Sequence, residues 1–441
     1  MEKFIIKGGK KLKGEVTVSG AKNVALKVLV AACLTDEEVV IDNIPLISDF
    51  FIMTEIIKEL GGRVEIKNHR ATIQLQEIKK TKISFEKAAE IRTSSMFFAP
   101  LLARVGQAII PNPGGCRIGA RPINRTINGL EKMNTVVSYN SKDGYFHSKT
   151  EGLTGVVYKF EKNTHTGTET LILNAVLAKG KTVLENAAQE PEIDELIKFL
   201  NQMGASIKRS SPRTIVINGV NKLKGTTFAI SPDRNEIVTF AIAALITEGD
   251  IFINQAKKAD LSEFLNEFEA AGGGIEEKSD GMRFYYKGEL RPTNITTSSY
   301  PGFMTDWQGP WAVLMTKANG VSTIHETVYE NRFGYVEELK KMGAHIEFYN
   351  PTIENPQKFY NFNLRDDKND YFHAERIYGP IFLHNAIVNV SDLRAGATLV
   401  LAALAAKGES VVSGLEHLDR GYENFEKRLK ILDADIERVE V

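Results

Sequence analysis

The sequence predicts an α/β (α+β) fold, a two-domain inverse α/β barrel built from six repeats of a helix–strand–helix–strand–strand unit, three in each domain. Ala/Leu-rich runs that are apolar on nearly all sides recur about every 70 residues, which is typical of buried helices in a repeat architecture. An amphipathic helix follows each run and ends at a Gly or polar residue. Short β-like runs, such as residues 38–42 and 181–185, lie between the two helices.

The elements can be placed along the chain from this pattern. The predicted buried helices are residues 21–34, 94–103, 170–178, 236–246, 310–318 and 395–406. The amphipathic helices run into their strand tails at residues 57–64, 130–137, 199–207, 268–275, 339–346 and 429–436. The last repeat is longer because residues 348–380, rich in Asn, Tyr, Asp and Phe, are predicted to form a surface insertion. Three buried helices are expected inside each domain, with loops and helix starts lining a cleft between the domains.

Composition limits the classes of function. Of the 441 residues, 43% are apolar and 25% charged, which is ordinary for a globular protein, and the net charge is −1. No bulk attraction to nucleic acid or to an anionic membrane is expected. Two cysteines give no disulfide framework, the N-terminus lacks the apolar core of a signal peptide, and no apolar run could span a bilayer. We therefore expect a cytoplasmic protein, and the oligomeric state stays open.

One loop stands out chemically. Residues 111–122 contain three prolines and three glycines, so they form neither a helix nor a central strand. This loop carries Cys116, with Arg117 and Arg121 beside it. A cysteine in a turn can simply fill space, but reactive thiols lie in accessible, electropositive surroundings such as these. The loop therefore predicts a reactive cysteine.

Charged and polar residues recur where the predicted buried helices begin. They are Lys22, Asn23, Arg92, Asp233, Arg234, Thr305, Asp306, Asp392 and Arg394, with Arg420 later in the sixth repeat. Each alone could be a helix cap, a dipole partner or a solvated charge. Their recurrence at the same point of different repeats favours convergence on one site, where the cations would bind a small polyanion such as a phosphorylated carboxylate.

Several motifs together resemble the enolpyruvyl transferases, and within them those that use a nucleotide sugar as acceptor. The motifs, in chain order, are Lys22–Asn23, the Pro-Gly-Gly-Cys loop with residues 119–122, residues 300–306, residues 330–333, residues 392–395 and residues 419–423. The resemblance runs nearly end to end. It implies two domains of three repeats each, the second inserted into the first, so that residues 1–21 plus 232–441 form one domain and residues 22–231 the other.

The resemblance also implies a reaction. The enolpyruvyl group of phosphoenolpyruvate would move to the 3-hydroxyl of UDP-N-acetylglucosamine with release of phosphate, with no metal and no cofactor. Cys116 would protonate the methylene carbon, and Asp306 would accept or orient the proton of the sugar hydroxyl. The residues implied to bind phosphoenolpyruvate are Lys22, Arg121, Arg394 and Arg420. Those implied to contact substrate elsewhere, mainly the nucleotide sugar, are Asn23, Arg92, Arg121, Pro122, Ile123, Asn124, Arg125, Thr305, Asp306, Val328, Arg332 and Asp392.

Two segments depart from the family pattern. After Arg121 and Pro122 the family usually has an aliphatic residue and then Asp-Leu-His, where this chain has residues 123–126, Ile-Asn-Arg-Thr. The family's Ser-Val-Gly-Ala-Thr is replaced by residues 165–169, His-Thr-Gly-Thr-Glu. Neutral drift and a changed nucleotide acceptor both remain open. The other readings are 5-enolpyruvylshikimate 3-phosphate synthase, which lacks the Pro-Gly-Gly-Cys loop, a catalytically silent sugar-nucleotide-binding paralogue, and a scaffold of repeats.

Overall fold

In the computed structural model, residues 2–114 and 123–440 are described, and they pack into two compact units. Of the described residues, those up to Ser19 and from Pro232 onward form unit 1, and those between Gly20 and Ser231 form unit 2. No helix in the described ranges is long and apolar enough to cross a membrane.

The strands, in chain order, are β1 (Glu2–Lys7), β2 (Lys13–Thr17), β3 (Val39–Asp42), β4 (Arg63–Lys67), β5 (Arg70–Gln74), β6 (Gln107–Pro111), β7 (Val136–Asn140), β8 (Tyr145–Lys149), β9 (Val157–Lys159), β10 (Lys181–Glu185), β11 (Ser206–Ser211), β12 (Thr214–Asn218), β13 (Thr227–Ala229), β14 (Asp250–Asn254), β15 (Gly273–Lys278), β16 (Gly281–Tyr286), β17 (Asn294–Thr296), β18 (Gly320–His325), β19 (His345–Tyr349), β20 (Ala374–Gly379), β21 (Ile387–Asn389), β22 (Glu409–Ser413) and β23 (Asp435–Glu440). The α-helices are α1 (Lys22–Ala32), α2 (Ser48–Glu59), α3 (Phe85–Glu90), α4 (Phe98–Val105), α5 (Asn124–Lys132), α6 (His165–Ala175), α7 (Pro191–Gln202), α8 (Arg234–Ile246), α9 (Ser262–Ala270), α10 (Gln308–Thr316), α11 (Val336–Lys341), α12 (Pro356–Phe359), α13 (Leu393–Ala405), α14 (Leu415–Leu418) and α15 (Phe425–Ile431).

Apolar helices fill the inside of each unit, as the sequence predicts. In unit 1, α10 packs against both α8 and α13, and every residue of α8 is buried. In unit 2, α4 packs against α6, and α1 contacts α4 and α7. The amphipathic helices α2, α5, α7, α9, α11 and α15 each bury one face and expose the other.

The second buried helix differs from its prediction. Residues 94–103 divide between a 3-10 helix, Arg92–Phe97, and helix α4. Pro100 lies in the first turn of α4, where its missing N–H costs no helical hydrogen bond. The Ser94 and Ser95 hydroxyls donate to the carbonyl oxygens of Ile91 and Arg92, which supports a tighter turn just before the proline.

The strand pairing explains how one chain builds two separate units. In three repeats the strand before the buried helix pairs in parallel with the strand after it: β9 with β10, β17 with β18, and β21 with β22. The strands before α1 and α8 are exchanged: β2 pairs with β14 in unit 1, and β13 pairs with β3 in unit 2. The chain therefore leaves unit 1 after β2 and returns to it after β13.

Two repeats deviate from the continuous unit that the sequence predicts. The sixth repeat takes its last strand from the start of the chain, since β1 lies between β22 and β23. The sheet β6-β8-β7 has three strands, and an isolated parallel bridge between Lys82 and Ile109 stands where a fourth would pair. Sequence periodicity could not show either feature, because both depend on pairing between distant segments.

The insertion is shorter than predicted. It is the connection between β19 and β20, residues 350–373, whereas the predicted range 348–380 includes the end of β19 and all of β20. Tyr360, Phe362 and His373 are buried, and the Tyr360 hydroxyl lies 3.2 Å from Nε2 of His325 at the end of β18. The segment is therefore packed onto unit 1 rather than extended into solvent.

A group of charges lies inside unit 2. Lys27 Nζ is 3.5 Å from Glu169 Oε2, and His165 Nε2 is 3.2 Å from Glu169 Oε1. Lys27 and Glu169 are both buried. Burial alone would lower the pKa of His165, but the Glu169 carboxylate raises it above its ordinary value. A buried carboxylate with two cationic neighbours is costly to leave unpaired.

We expect Lys27→Met to lower the free energy of unfolding by about 3–5 kcal/mol, because it removes one of the two cationic neighbours of the buried Glu169 carboxylate and leaves Oε2 without its ion-pair partner. The matched control is Lys10→Met, since Lys10 forms an exposed pair with Asp433 at 3.8 Å and should cost less than about 1 kcal/mol. Urea denaturation of the two variants measures both effects. Equal losses of unfolding free energy in the two variants would contradict a stabilising role for the buried Lys27–Glu169 pair.

The raised pKa of His165 predicts a pH-dependent contribution to stability. The stabilisation is fully present below the unfolded-state pKa, about 6.5, and is lost as the pH rises through the folded-state pKa. His165→Gln should therefore lower the urea midpoint more at pH 6 than at pH 9. The control is His345→Gln, which removes an exposed histidine. A His165→Gln deficit that does not change with pH would refute the prediction.

Candidate active site

A carboxylate held by two arginines forms the centre of the site in unit 1. Asp306 lies in a 3-10 helix, Thr305–Trp307, just before α10. Arg332 Nη2 donates to Asp306 Oδ1 over 3.1 Å, and Arg394 Nη2 donates to Oδ2 over 3.2 Å. The arginine side chains are 4% and 8% exposed, whereas that of Asp306 is 24% exposed. The carboxylate is thus fixed at both oxygens and still partly open to solvent.

Asp392 links the same arginines to the start of α13. It is the N-cap of this helix, and its Oδ1 accepts from the backbone N–H groups of Arg394 and Ala395 over 2.9 and 3.2 Å. The same oxygen lies 3.4 Å from Arg332 Nη1. The structure thus joins four residues singled out in the sequence, Asp306, Arg332, Asp392 and Arg394, in one network.

The two arginines remain charged despite their burial. Burial alone would lower the pKa of Arg332, but Asp392 and Asp306 raise it above its ordinary value. Burial alone would likewise lower the pKa of Arg394, but the charge of Asp306 raises it above its ordinary value. Arg394 Nη1 donates to the Tyr422 hydroxyl over 3.2 Å, so this cation is held on two sides.

The start of α8 packs beside this network. Asp233 caps α8 by accepting from the Asn235 N–H over 2.8 Å. Asn235 Oδ1 in turn accepts from Trp307 Nε1 over 2.9 Å, which ties α8 to the 3-10 helix of Asp306. The Arg234 guanidinium lies 5.7 Å from the Trp307 ring centroid and 5.2 Å from that of Tyr300.

Glu326 was not identified from the sequence. It follows β18, is 1% exposed, and accepts from the Thr305 hydroxyl over 2.8 Å and from the Val328 N–H over 2.7 Å. Two predicted substrate-contacting residues, Thr305 and Val328, are therefore joined through one buried carboxylate. No motif pointed to Glu326, because an isolated Glu after a strand is usually solvated.

In unit 2, Lys22 has an acidic partner that the sequence did not reveal. Lys22 is the first residue of α1, and its Nζ lies 2.7 Å from Asp49 Oδ2, with both residues buried. A cation at a helix N-terminus is disfavoured by the helix dipole, and Asp49 offsets that cost. An ammonium group has three N–H donors, so Lys22 can hold Asp49 and still donate elsewhere.

The remaining candidates of unit 2 lie at the starts of helices. Asn23 is half-buried in the first turn of α1, and Arg92 is half-buried at the first residue of its 3-10 helix. Ile123 is buried immediately before α5, Asn124 is the exposed first residue of that helix, and Arg125 is half-buried beside it. Asn23 and Arg92 therefore lie at the helix starts that the sequence predicts, and residues 123–125 lie at the start of α5.

Arg125 adds positive charge beside a second cation. Burial lowers the pKa of Lys162, and the nearby charge of Arg125 lowers it further. The Arg125 carbonyl oxygen accepts from the Tyr158 hydroxyl over 2.9 Å. The two like charges favour an anionic ligand near the start of α5.

The other segment that departs from the family pattern, residues 165–169, forms the first turn of α6. The Thr164 hydroxyl caps this helix by accepting from the Gly167 N–H.

Cys116, Arg121 and Pro122 lie outside the described residues. Gly114, the last described residue before them, approaches the backbone of Ala89 so closely that a Cβ would stand 1.6 Å from its carbonyl oxygen. Only glycine fits this close approach.

Arg420 lies in the turn between α14 and α15 and is half-buried. Its neighbour Asp419 accepts from Arg438 over 2.7 and 2.9 Å, which fixes the turn. Across the described ranges there is no group of three or more His, Cys, Asp or Glu residues that could hold a metal ion.

The chain is similar in sequence to proteins of known class. The family model for EPSP synthase (3-phosphoshikimate 1-carboxyvinyltransferase) matches residues 6–429. A Koribacter versatilis protein named UDP-N-acetylglucosamine 1-carboxyvinyltransferase is 40% identical over 443 residues, which cover all of this chain and 97% of that protein. A Caldanaerobacter subterraneus protein named UDP-N-acetylglucosamine 1-carboxyvinyltransferase 3 is 41% identical over 441 residues, the full length of both chains.

Solved structures share the fold. The enolpyruvyl transferase NikO from Streptomyces tendae matches with a TM-score of 0.87 at 22% identity, over all of this chain and 99% of that one. EPSP synthase from Acinetobacter baumannii matches with a TM-score of 0.74 at 16% identity, over the full length of both chains. The fold predicted from the sequence is thereby confirmed. Because the family model and the relatives at about 40% identity span nearly the whole chain, this protein belongs to the EPSP synthase family of enolpyruvyl transferases.

Proposed function

We propose that this chain transfers the enolpyruvyl group of phosphoenolpyruvate to the 3-hydroxyl of UDP-N-acetylglucosamine and releases phosphate. This is the first committed step of peptidoglycan precursor synthesis, and we place it in the cytoplasm. Relatives that carry the matching name at about 40% identity over the full chain support the acceptor. The observation that carries the chemistry is the Asp306 carboxylate, fixed by two buried arginines and partly open to solvent.

The addition step of the reaction needs two proton movements. A bond forms between the sugar oxygen and the carbon that bears the phosphate, while the methylene carbon gains a proton and the sugar hydroxyl loses one. Cys116 supplies the first proton, since an ordinary thiol is protonated at neutral pH. Asp306 accepts or orients the second. The new methyl group then gives up a proton, its electrons re-form the carbon–carbon double bond, and the bond to phosphate breaks, so phosphate leaves; no metal or cofactor takes part.

Asp306 is suited to its role by its two cationic neighbours. Arg332 and Arg394 stabilise its ionised form, so it can accept a proton or a hydrogen bond at neutral pH. They also hold the carboxylate in one orientation, which removes the cost of arranging it at the moment of reaction. A fixed carboxylate is therefore presented to the hydroxyl that must be activated.

Cations bind the donor in this proposal. Lys22, Arg121, Arg394 and Arg420 hold phosphoenolpyruvate and balance the charge that develops on it. Lys22, held by Asp49 at 2.7 Å at the start of α1, brings its positive charge to that helix start.

The residues proposed to hold the nucleotide sugar are Asn23, Arg92, Arg121, Pro122, Ile123, Asn124, Arg125, Asp306 and Val328. Thr305, Arg332 and Asp392 complete the proposed substrate-binding set. In the proposed enzyme, residues 1–21 plus 232–441 form one domain and residues 22–231 form the other, as the sequence predicts. In it, Arg125 supplies positive charge to the diphosphate, in the segment that departs from the family pattern.

We expect phosphate release from phosphoenolpyruvate with UDP-N-acetylglucosamine, and none above background with UMP or shikimate 3-phosphate. A coupled phosphate assay with each acceptor in turn measures this. Release with shikimate 3-phosphate or UMP alone would show that the acceptor is wrong. Silence with all three would favour a non-catalytic protein.

We expect Cys116→Ser to lower kcat by about 100-fold or more, because a serine hydroxyl is a much weaker proton donor than a thiol. Fosfomycin should add its mass to wild-type protein at Cys116, as measured by peptide mass spectrometry. The matched control is Cys33→Ser: burial raises the pKa of this thiol to about 12, and its Sγ donates to the Leu29 carbonyl oxygen. Full activity in Cys116→Ser, or an adduct on Cys33 alone, would remove Cys116 from the mechanism.

A further inference from the structure

A single buried carboxylate, Glu326, ties together two segments of the proposed acceptor site in unit 1. One oxygen, Oε2, accepts from the Thr305 hydroxyl over 2.8 Å and from the Gln308 side-chain amide. The other, Oε1, accepts from the backbone N–H groups of Val328 and Tyr329 over 2.7 and 2.9 Å. Each oxygen thus has two donors, which is the full accepting capacity of an ionised carboxylate.

The two segments that Glu326 joins both carry proposed functional residues. Thr305 immediately precedes Asp306, and Gln308 begins α10 just after the same 3-10 helix. Val328 and Tyr329 begin the loop that leads to Arg332, the partner of Asp306. A shift of Glu326 would therefore move both the carboxylate and one of the cations that orient it.

The backbone around Glu326 is itself fixed from both sides. The Glu326 N–H donates to the His373 carbonyl oxygen over 2.7 Å, and the Asn361 N–H donates to that of Thr327 over 2.7 Å. Both of those contacts come from the insertion, residues 350–373. On the other side, the Thr327 N–H donates to the Thr297 hydroxyl over 2.9 Å. The carboxylate is thus built on a rigid support.

Burial raises the pKa of Glu326, while hydrogen bonds from Tyr329, Thr305 and Val328 and the charge of Arg332 oppose that rise. The donors leave no acceptor in place for a carboxyl proton at Oε1, where both partners are backbone N–H groups. An unprotonated oxygen therefore faces the two N–H groups at Oε1.

We propose that Glu326 is a positioning residue for the acceptor, holding the Asp306 turn and the Val328 loop in register. The proposal rests on the proposed function, because it assigns Glu326 to the acceptor side of that reaction. Glu326 acts through Thr305, Gln308 and the backbone of residues 328–329, and it does not touch the reacting atoms.

The test is Glu326→Gln. The amide keeps the size of the side chain, but its NH₂ group must face either the two backbone N–H groups or Thr305 and Gln308. One pair of hydrogen bonds is therefore lost or reversed, and the remaining acceptor oxygen no longer carries charge. A displacement of about 1 Å at a reacting group can cost about 100-fold in rate. We expect kcat to fall at least about tenfold and KM for UDP-N-acetylglucosamine to rise severalfold, with KM for phosphoenolpyruvate within about twofold of wild type.

The matched control is Glu375→Gln. Glu375 is equally buried in unit 1 and lies 2.9 Å from the Tyr335 hydroxyl, which is itself 3.2 Å from Gln308 Oε1. Within the described part of the chain, it therefore contacts the Glu326 network only through Tyr335 and bonds to neither Thr305 nor the backbone of residues 328–329. Burial raises its pKa to about 8, so near pH 7 a neutral amide replaces a largely protonated carboxyl group. Both KM values and kcat of this control should stay within about twofold of wild type. Thr305→Val, which removes one donor to Glu326, should shift the same parameters as Glu326→Gln by a smaller factor.

A purely structural loss would reduce kcat with the folded fraction and leave both KM values unchanged, and that result would overturn the proposal. Equal effects of Glu326→Gln and Glu375→Gln would overturn it as well. Amide hydrogen exchange gives a readout that needs no turnover: exchange at Val328 and Tyr329 should be faster in Glu326→Gln and unchanged in Glu375→Gln. Wild-type exchange rates at Val328 and Tyr329 in Glu326→Gln would refute the positioning role of Glu326. A wild-type protein that releases no phosphate in response to the acceptor would refute the proposed function instead.

Discussion

The ion-pair network of Asp306, Arg332, Asp392 and Arg394 constrains the rest of unit 1. Two guanidinium groups are buried in it, and a buried charge is tolerated only when it is paired and hydrogen-bonded. Asp306 therefore lies within hydrogen-bond distance of both arginines. Asp392 lies within hydrogen-bond distance of Arg332 and of the N–H groups at the start of α13. That requirement fixes the 3-10 helix of Asp306, the loop of Arg332 and the first turn of α13 relative to one another.

The repeat architecture is what makes this network possible. Hydrogen bonds join the starts of the three buried helices of unit 1: Trp307, before α10, donates to Asn235 of α8, and Arg394 of α13 donates to Asp306. Helix starts offer unpaired N–H groups and a positive dipole end, which suits capping aspartates and anionic ligands. Because each repeat contributes one such start, polar residues from distant parts of the sequence meet in one place.

The sequence predicted features that depend on local pattern and missed those that depend on distant pairing. Apolar periodicity placed α8 and α13 within two residues at their starts, and the capping Asp392 was recognisable. Glu326 and Asp49 were missed, since a lone acidic residue gives no sign of the donors that surround it in the fold. The place of β1 between β22 and β23 was missed for the same reason, because it pairs opposite ends of the chain.

The most direct test of the central claim is the kinetics of Asp306→Asn, with Asp250→Asn as the matched control, since Asp250 pairs with Arg283 at the surface of the same unit. If Asp306 acts on the acceptor hydroxyl, kcat should fall by about 100-fold to 10,000-fold while phosphoenolpyruvate still binds within about threefold of the wild-type affinity. The control should retain wild-type values. An Asp306→Asn protein with wild-type kcat would contradict the claim and leave the network a structural feature alone.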